Sequence, residues 1–314
     1  MIINECNELK TTEEAKMYLE MGKCLNSTYF YDISRKTDKT NVDLLEVIAR
    51  FGLEPVTSLR FGLSGKEQEN NTSFGHMILC TDSKGNKVKA RNCFSSSEAE
   101  RMERSVAFAA NNSIQTPKIL ARDGQVIILE YIDGENPEGV LPLEDIRLIA
   151  EAHAEMEIPL PELESKTAEK LHKLISEALL KLREYLPEAT VEPLEKALIE
   201  KFPTKIYPVF DHQDNGVHNI LKGKDGQYWF IDEEAFGVLP FGYTLERALF
   251  GNGGHTICKN DSQREVYMSC FTPEQIDYYI KTREFWKMLL VARSSARALE
   301  YKEVDRALGL INEA

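Results

Sequence analysis

One stretch constrains this 314-residue chain more than any other. It reads Phe210-Asp211-His212-Gln213-Asp214-Asn215-Gly216-Val217-His218-Asn219-Ile220-Leu221, and a second block, Phe230-Ile231-Asp232-Glu233-Glu234-Ala235-Phe236-Gly237, follows closely. Residues 206–210 read as a strand. Asn219 to Ile231 reads as a hairpin turning at Lys224-Asp225-Gly226. A strand, a polar loop and a hairpin that ends in a carboxylate bring Asp214, Asn219 and Asp232 to one rim. Phosphoryl transfer from a nucleotide needs this set. One carboxylate orients the attacking hydroxyl and accepts its proton, while an amide oxygen and a second carboxylate hold magnesium on the phosphates.

The order of elements around these blocks narrows the fold. Thr11-Thr12-Glu13-Glu14 is a capping box, and Met17, Met21 and Leu25 share a helical face behind it. A second helix is expected from about Asn41, with Leu44, Leu45 and Ile48 inward and Gly52 as its C-terminal cap. Short β-type runs follow at 58–63, 74–81 and 87–91, then a helix over 97–110 capped by serines, then strands over 117–120 and 126–131. Asp133-Gly134-Glu135-Asn136-Pro137 reads as a hinge. Beyond it the pattern is helical at 143–156, 167–186, 192–202 and 273–314. The expected organisation is an N-terminal helical extension over 1–55, a β-rich N-lobe over 56–132 and a mainly helical C-lobe over 133–314.

His212-x-Asp214-x-x-x-x-Asn219 followed by Ile231-Asp232-x-Glu234-x-x-Gly237 resembles the signature pair of the aminoglycoside phosphotransferase and choline kinase superfamily, relatives of protein kinases. The resemblance implies an α+β, two-lobed, protein-kinase-like fold. It implies Asp214 as the catalytic aspartate, Asn219 and Asp232 as magnesium ligands, and His212 as a packing residue. Val88-Lys89-Ala90-Arg91 stands where a kinase third strand carries Val-Ala-Ile-Lys, giving Arg91 the role of phosphate-contacting cation. Lys89 shares its face and remains an alternative. The cation's helix partner is expected to be Glu103, with Glu100 one turn away as the alternative. The phosphate-covering segment is 63–72, where Asn71 and Thr72, with Lys66, are the expected contacts despite a single glycine, Gly65. Glu130 and Ile132, at the hinge, are expected to meet adenine through their backbones. Three positions depart from the family pattern: Gln213 where glycine is usual, Glu233 where an aromatic is common, and Thr244 where an aspartate often follows.

Charge and composition bound the function. Against 38 Lys and Arg stand 51 Asp and Glu, a formal charge of -13, which opposes non-specific binding to nucleic acid. No run approaches the ~18 apolar residues of a membrane span, and Met1-Ile2-Ile3-Asn4-Glu5 lacks a basic leader, so a cytoplasmic protein without membrane or nucleic-acid partners is expected. The six cysteines form no Cys-x-x-Cys pair, which argues against zinc and against a disulfide framework. The reading is a kinase using ATP and Mg2+ to phosphorylate a hydroxyl of a small molecule. Its acidity, with Glu233 and Glu234 as a negative wall, tilts the acceptor toward aminoglycosides, amino sugars or amino alcohols. Two rivals stand beside it. A kinase acting on a polypeptide lacks its Ala-Pro-Glu segment and activation loop here, and a catalytically silent nucleotide-binding scaffold would have to keep all three reactive residues unused.

Overall fold

A computed structural model describes residues 44–59, 77–93, 95–251 and 256–312. The helix expected at 11–25 and the segment 63–72, with Asn71 and Thr72, lie outside the described residues. Contacts divide the chain into two units. Of the described residues, 44–135 and 223–234 form the first, and 136–222 with 235–312 form the second.

The first unit is built on α1 (Leu44–Arg50), β1 (Glu54–Leu59), β2 (Met77–Thr81), β3 (Lys87–Asn92), α2 (Ser96–Asn111), β4 (Ile119–Asp123), β5 (Val126–Glu130) and the short β6 (Gly134–Glu135). Five strands make an antiparallel sheet in the order β1-β2-β3-β5-β4. The unbroken apolar run in β5 follows from burial of both sheet faces. Val126 and Ile128 pack with Val88, Ala90 and α1, while Ile127 and Leu129 pack with Ala99, Met102 and Val106 of α2. Each Val, Ile, Leu or Met side chain among them contributes about 1.5–3 kcal/mol when fully buried. Since Val88 and Ala90 face α1, alternation sends Lys89 and Arg91 to the other face.

Capping fixes where the helices of this unit stop and start. Gly52, at φ 67°, ends α1: its N–H donates to Ala49 O at 2.9 Å and that of Leu53 to Ile48 O at 3.2 Å, the paired bonds of a Schellman motif. Ser95 caps α2 by accepting the Glu98 N–H at 3.2 Å. Leu45, expected inward, is 55% exposed, because the inward stripe of this short helix is Leu44, Val47 and Ile48.

The second unit comprises α3 (Leu143–Met156), β7 (Ile158–Pro159), α4 (Glu164–Tyr185), α5 (Glu188–Glu200), β8 (Pro208–His212), β9 (Ile220–Gly223), whose last residue passes to the first unit, β11 (Phe236–Pro240), α6 (Tyr243–Phe250), α7 (Asp261–Met268), α8 (Pro273–Glu300) and α9 (Val304–Asn312), with β10 (Tyr228–Phe230) lying between β9 and β11 in the segment assigned to the first unit. A small antiparallel sheet, β11-β8-β7, pairs Phe236 with His212 and Val238 with Phe210. The helices around it bury Phe285 and Trp286 of α8, Tyr267 of α7 and Phe241. Thr272 and Gln275 form a capping box at the start of α8.

The linear boundary expected at 132/133 misses one feature. Residues 223–234 belong with the first unit although they follow the hinge by many residues. The Phe230 N–H donates to Gln115 O at 2.9 Å, and Lys224 Nζ lies 2.5 Å from Asp133 Oδ2.

Candidate active site

In the second unit, β8 carries the chain into the polar loop at a fixed point. Phe210 and His212 are buried and paired to β11, and the Gln213 N–H donates to Ala235 O at 2.8 Å. His212 stands edge-on to Phe236, ring centroids 4.8 Å apart. The loop then winds into a 3-10 turn over Val217–Asn219. Asn219 closes it, donating through Nδ2 to the Asp214 carbonyl at 2.9 Å, so the amide oxygen is the atom left to serve as a ligand. From outside, Asn136 Nδ2 donates to the carbonyls of His218 at 2.9 Å and Ile220 at 2.8 Å.

This scaffold holds the Asp214 carboxylate, 16% exposed, between the Arg247 guanidinium and the His218 ring. Oδ1 accepts from the Arg247 guanidinium of α6, and Oδ2 lies 3.3 Å from His218 Nε2. Burial alone would raise the carboxyl's pKa. The Arg247 charge and the His218 hydrogen bond outweigh that and hold it well below the usual carboxylate range. Asp214 is therefore an anion at any pH near neutrality. Arg247 was not foreseen; α6 lies past the second motif, and nothing in its sequence marks the arginine as a partner of Asp214.

A wholly buried polar network lies behind β8. His153 Nε2 of α3 is 3.2 Å from Asp211 and 3.3 Å from Glu157, and Nδ1 is 2.8 Å from the Tyr267 hydroxyl. Asp211 also accepts the Thr244 hydroxyl and, at 2.6 Å, the His212 N–H. Burial by itself would lower the His153 pKa, but the Asp211 charge and the bonds to both carboxylates push it up to about 10. Burial, joined by the Asp211 charge, raises that of Glu157. Thr244, one of the departures from the family pattern, thus spends its hydroxyl on Asp211 of β8. Among the described residues this trio also has the donor types and spacing, within 4.8 Å, that could hold an ion.

The first unit presents Arg91 from β3. Its guanidinium is paired with Glu234 and lies 3.6 Å from Asp232 and 4.0 Å from Glu233, and Arg101 of α2 donates to the Glu234 carbonyl at 3.0 Å. Asp232 occupies a left-handed backbone conformation, φ 69°, which aspartate tolerates better than most residues. The expected pairing of Arg91 with Glu103 does not form. Arg122 of β4, at the sheet edge beyond β5, takes Glu103 at 2.9 Å, while Glu100 lies 3.3 Å from Arg104 of its own helix and 3.7 Å from Arg122, so both helix carboxylates are engaged by other cations. Lys89, 8% exposed, sits opposite Leu79 and Leu129. The Glu130 N–H is spent on Lys118 O at 2.8 Å, which removes it as a donor to a base; Ile132 is buried just beyond the strand. Glu233 is 1% exposed and Glu234 is engaged by Arg91, so the expected negative wall is instead a set of partners for that arginine.

No protein-family model matches this chain, and no curated protein does either. Solved structures do match. A macrolide 2'-phosphotransferase from Brachybacterium faecium is similar with a TM-score of 0.60 at 14% identity, over 86% of this chain and 97% of its own. An ethanolamine kinase from Plasmodium vivax gives 0.56 at 16% identity, over 100% and 96%. A choline kinase from Streptococcus pneumoniae gives 0.55 at 14%, over 86% and 97%. At such identities the likeness establishes the fold: α+β, sheet-rich in its N-terminal region and helical in its C-terminal region, as in these kinase-like proteins.

Proposed function

From the fold shared with the aminoglycoside phosphotransferase and choline kinase superfamily, we propose that this chain transfers the γ-phosphate of ATP to a hydroxyl of a small molecule. The observation that carries the reading is the Asp214 loop, where a carboxylate kept ionised by Arg247 and His218 is fixed beside an Asn219 amide whose nitrogen is already committed.

Asp214 acts by orientation. A carboxyl held this low is a poor base in the ground state, so it accepts a hydrogen bond from the acceptor hydroxyl, aims it in line, and takes the proton only as the phosphorus–oxygen bond forms. Arg91 steadies the phosphates. The Asn219 oxygen and the Asp232 carboxylate are hard oxygen donors of the kind magnesium prefers, and they would hold it. When bound, that ion neutralises charge on the phosphates. Ile132, with the Glu130 carbonyl, would meet the adenine edge. A cytoplasmic setting belongs to the proposal and suits the free thiols Cys80, Cys93, Cys258 and Cys270.

The test is a screen of ATP consumption over hydroxylated metabolites and aminoglycosides, with product identified by mass. With a substrate in hand, Asp214→Asn should lower kcat by ~100-fold or more while the KM for ATP stays near wild type. Near-normal turnover would remove Asp214 from the mechanism. Turnover with peptide acceptors alone would favour a polypeptide kinase.

A further inference from the structure

The named substrates of similar structures range from ethanolamine and choline to a macrolide, so the fold leaves the acceptor's charge open. The second unit speaks to it directly. One oxygen of the Asp214 carboxylate, Oδ1, is paired with the Arg247 guanidinium, and the other, Oδ2, lies 3.3 Å from His218 Nε2. Any hydroxyl that reaches Asp214 therefore arrives within contact range of a guanidinium that is itself 26% exposed. A protonated amine placed against that guanidinium would be repelled by it. A carboxylate or phosphate would gain a charge-assisted, fork-shaped hydrogen-bonding partner. The surroundings of α6 continue the theme. Phe250, one turn beyond Arg247, carries the guanidiniums of Arg283 and Arg264 over its ring at 4.0 and 4.5 Å. Meanwhile the two glutamates that could have favoured an amine are consumed in the first unit, Glu233 by burial and Glu234 by Arg91 and Arg101.

We infer that Arg247 is the specificity-determining residue for the acceptor, selecting a hydroxylated molecule that carries a carboxylate or phosphate near the reacting hydroxyl. This rests on the phosphotransferase reading and deepens it. In the resting protein Arg247 is held by Asp214. An anionic acceptor shares it, its acid group on the guanidinium and its hydroxyl on the carboxylate, so one ion pair sets both charge preference and aim. The phosphoryl group moves from ATP to the hydroxyl oxygen, the hydroxyl proton passes to Asp214, and ADP leaves, so no further reactant is required.

Three probes on one carbon skeleton test it: glycerate, glycerol and aminopropanediol, each titrated calorimetrically into the full chain with Mg2+ and a non-hydrolysable ATP analogue. Each is then assayed for phosphorylation with ATP. Glycerate should bind at least ~10-fold tighter than glycerol, and aminopropanediol most weakly. Arg247→Gln should abolish the preference, and Arg247→Lys should restore part of it. If any of the three is turned over, the loss in Arg247→Gln should fall on the KM for glycerate and not on that for ATP. Equal affinity for glycerate and glycerol in the wild type, or preference for the amine, overturns the inference without any variant. Should glycerate be preferred and the preference be lost in Arg247→Gln while none of the probes is phosphorylated, charge selection by Arg247 holds, and an ATP-consumption screen in which no hydroxylated small molecule is turned over is what would sink the phosphotransferase reading.

Discussion

A charge with no access to water survives only where other groups replace its hydration, and His153 meets that condition with Asp211, Glu157 and Tyr267. Its pKa, pushed up to about 10 from an ordinary 6.5, has a defined consequence for stability. A raised pKa means that the folded chain binds the proton more tightly than the unfolded one. The stabilisation is full below about pH 6.5 and is lost as pH climbs through 10, and the raised Glu157 acts in the same direction. Thermal unfolding followed across that interval should therefore give a falling Tm. A flat or rising Tm would mean the imidazolium is absent. His153→Gln, which strands two buried carboxylates, should cost about 3–5 kcal/mol at pH 7. Single residues were legible in the sequence where their meaning was local. Asp214 and Asn219 stand five positions apart in one loop and are joined as a loop would join them. Arg247, the Asp211 and Tyr267 partners of His153 and the true partners of Arg91 were not legible, because each of these contacts spans far-separated chain segments and nothing within a segment announces it. Arg122 defeated the Glu103 pairing for the same reason: local spacing placed the carboxylate but could not weigh two competing cations.

At the level of elements, periodicity worked where one face meets water. The bounds of α3 fall at 143–156 as expected, since its buried Ile146, Ile149, Ala150 and His153 alternate with exposed residues at helical spacing. It failed at α6, where Tyr243, Thr244, Leu245, Glu246, Ala248 and Leu249 are all buried, so eight residues offer no polar stripe to read. Yet α6 delivers Thr244 to Asp211 and Arg247 to Asp214. Its start depends on Gly242, whose φ of 92° disfavours any other residue. A Cβ there would lie 2.5 Å from Trp286 Nε1, an atom fixed by its bond to Thr282 at 2.8 Å. Gly242→Ala must shift α6 or the α8 tryptophan, and strain plus overpacking should cost about 2–4 kcal/mol. Chemical denaturation measures that loss, and a variant as stable as wild type would mean the helix start relaxes freely. Because α6 aims Arg247, the same variant should also raise the KM for the acceptor more than that for ATP.

Over the whole molecule, linear reading recovered a sheet-rich region followed by a helical one, but not the return of residues 223–234 to the first unit. Hydrophobic pattern alone cannot register such a return, since the bonds that make it, Phe230 to Gln115 and Lys224 to Asp133, join segments about a hundred residues apart. One consequence is that Asp232 belongs with Arg91 in the first unit, whereas Asp214 and Asn219 belong to the second. Nucleotide binding and acceptor chemistry should then be separable by substitution. A ligand that binds only the folded chain stabilises it by about 2.7 kcal/mol at a hundred times its Kd, which for a chain of this size raises Tm by several degrees. Saturating Mg-ATP should produce such a rise in the wild type, and ATP with a chelator should produce much less. Asp232→Asn is the informative variant, because asparagine tolerates the left-handed backbone at φ 69° while losing the charge that would bind magnesium. It should lose most of the Mg-ATP rise with its unliganded Tm nearly unchanged, whereas Asp214→Asn should keep the rise and lose turnover. An undiminished Mg-ATP rise in Asp232→Asn would place the metal on other residues.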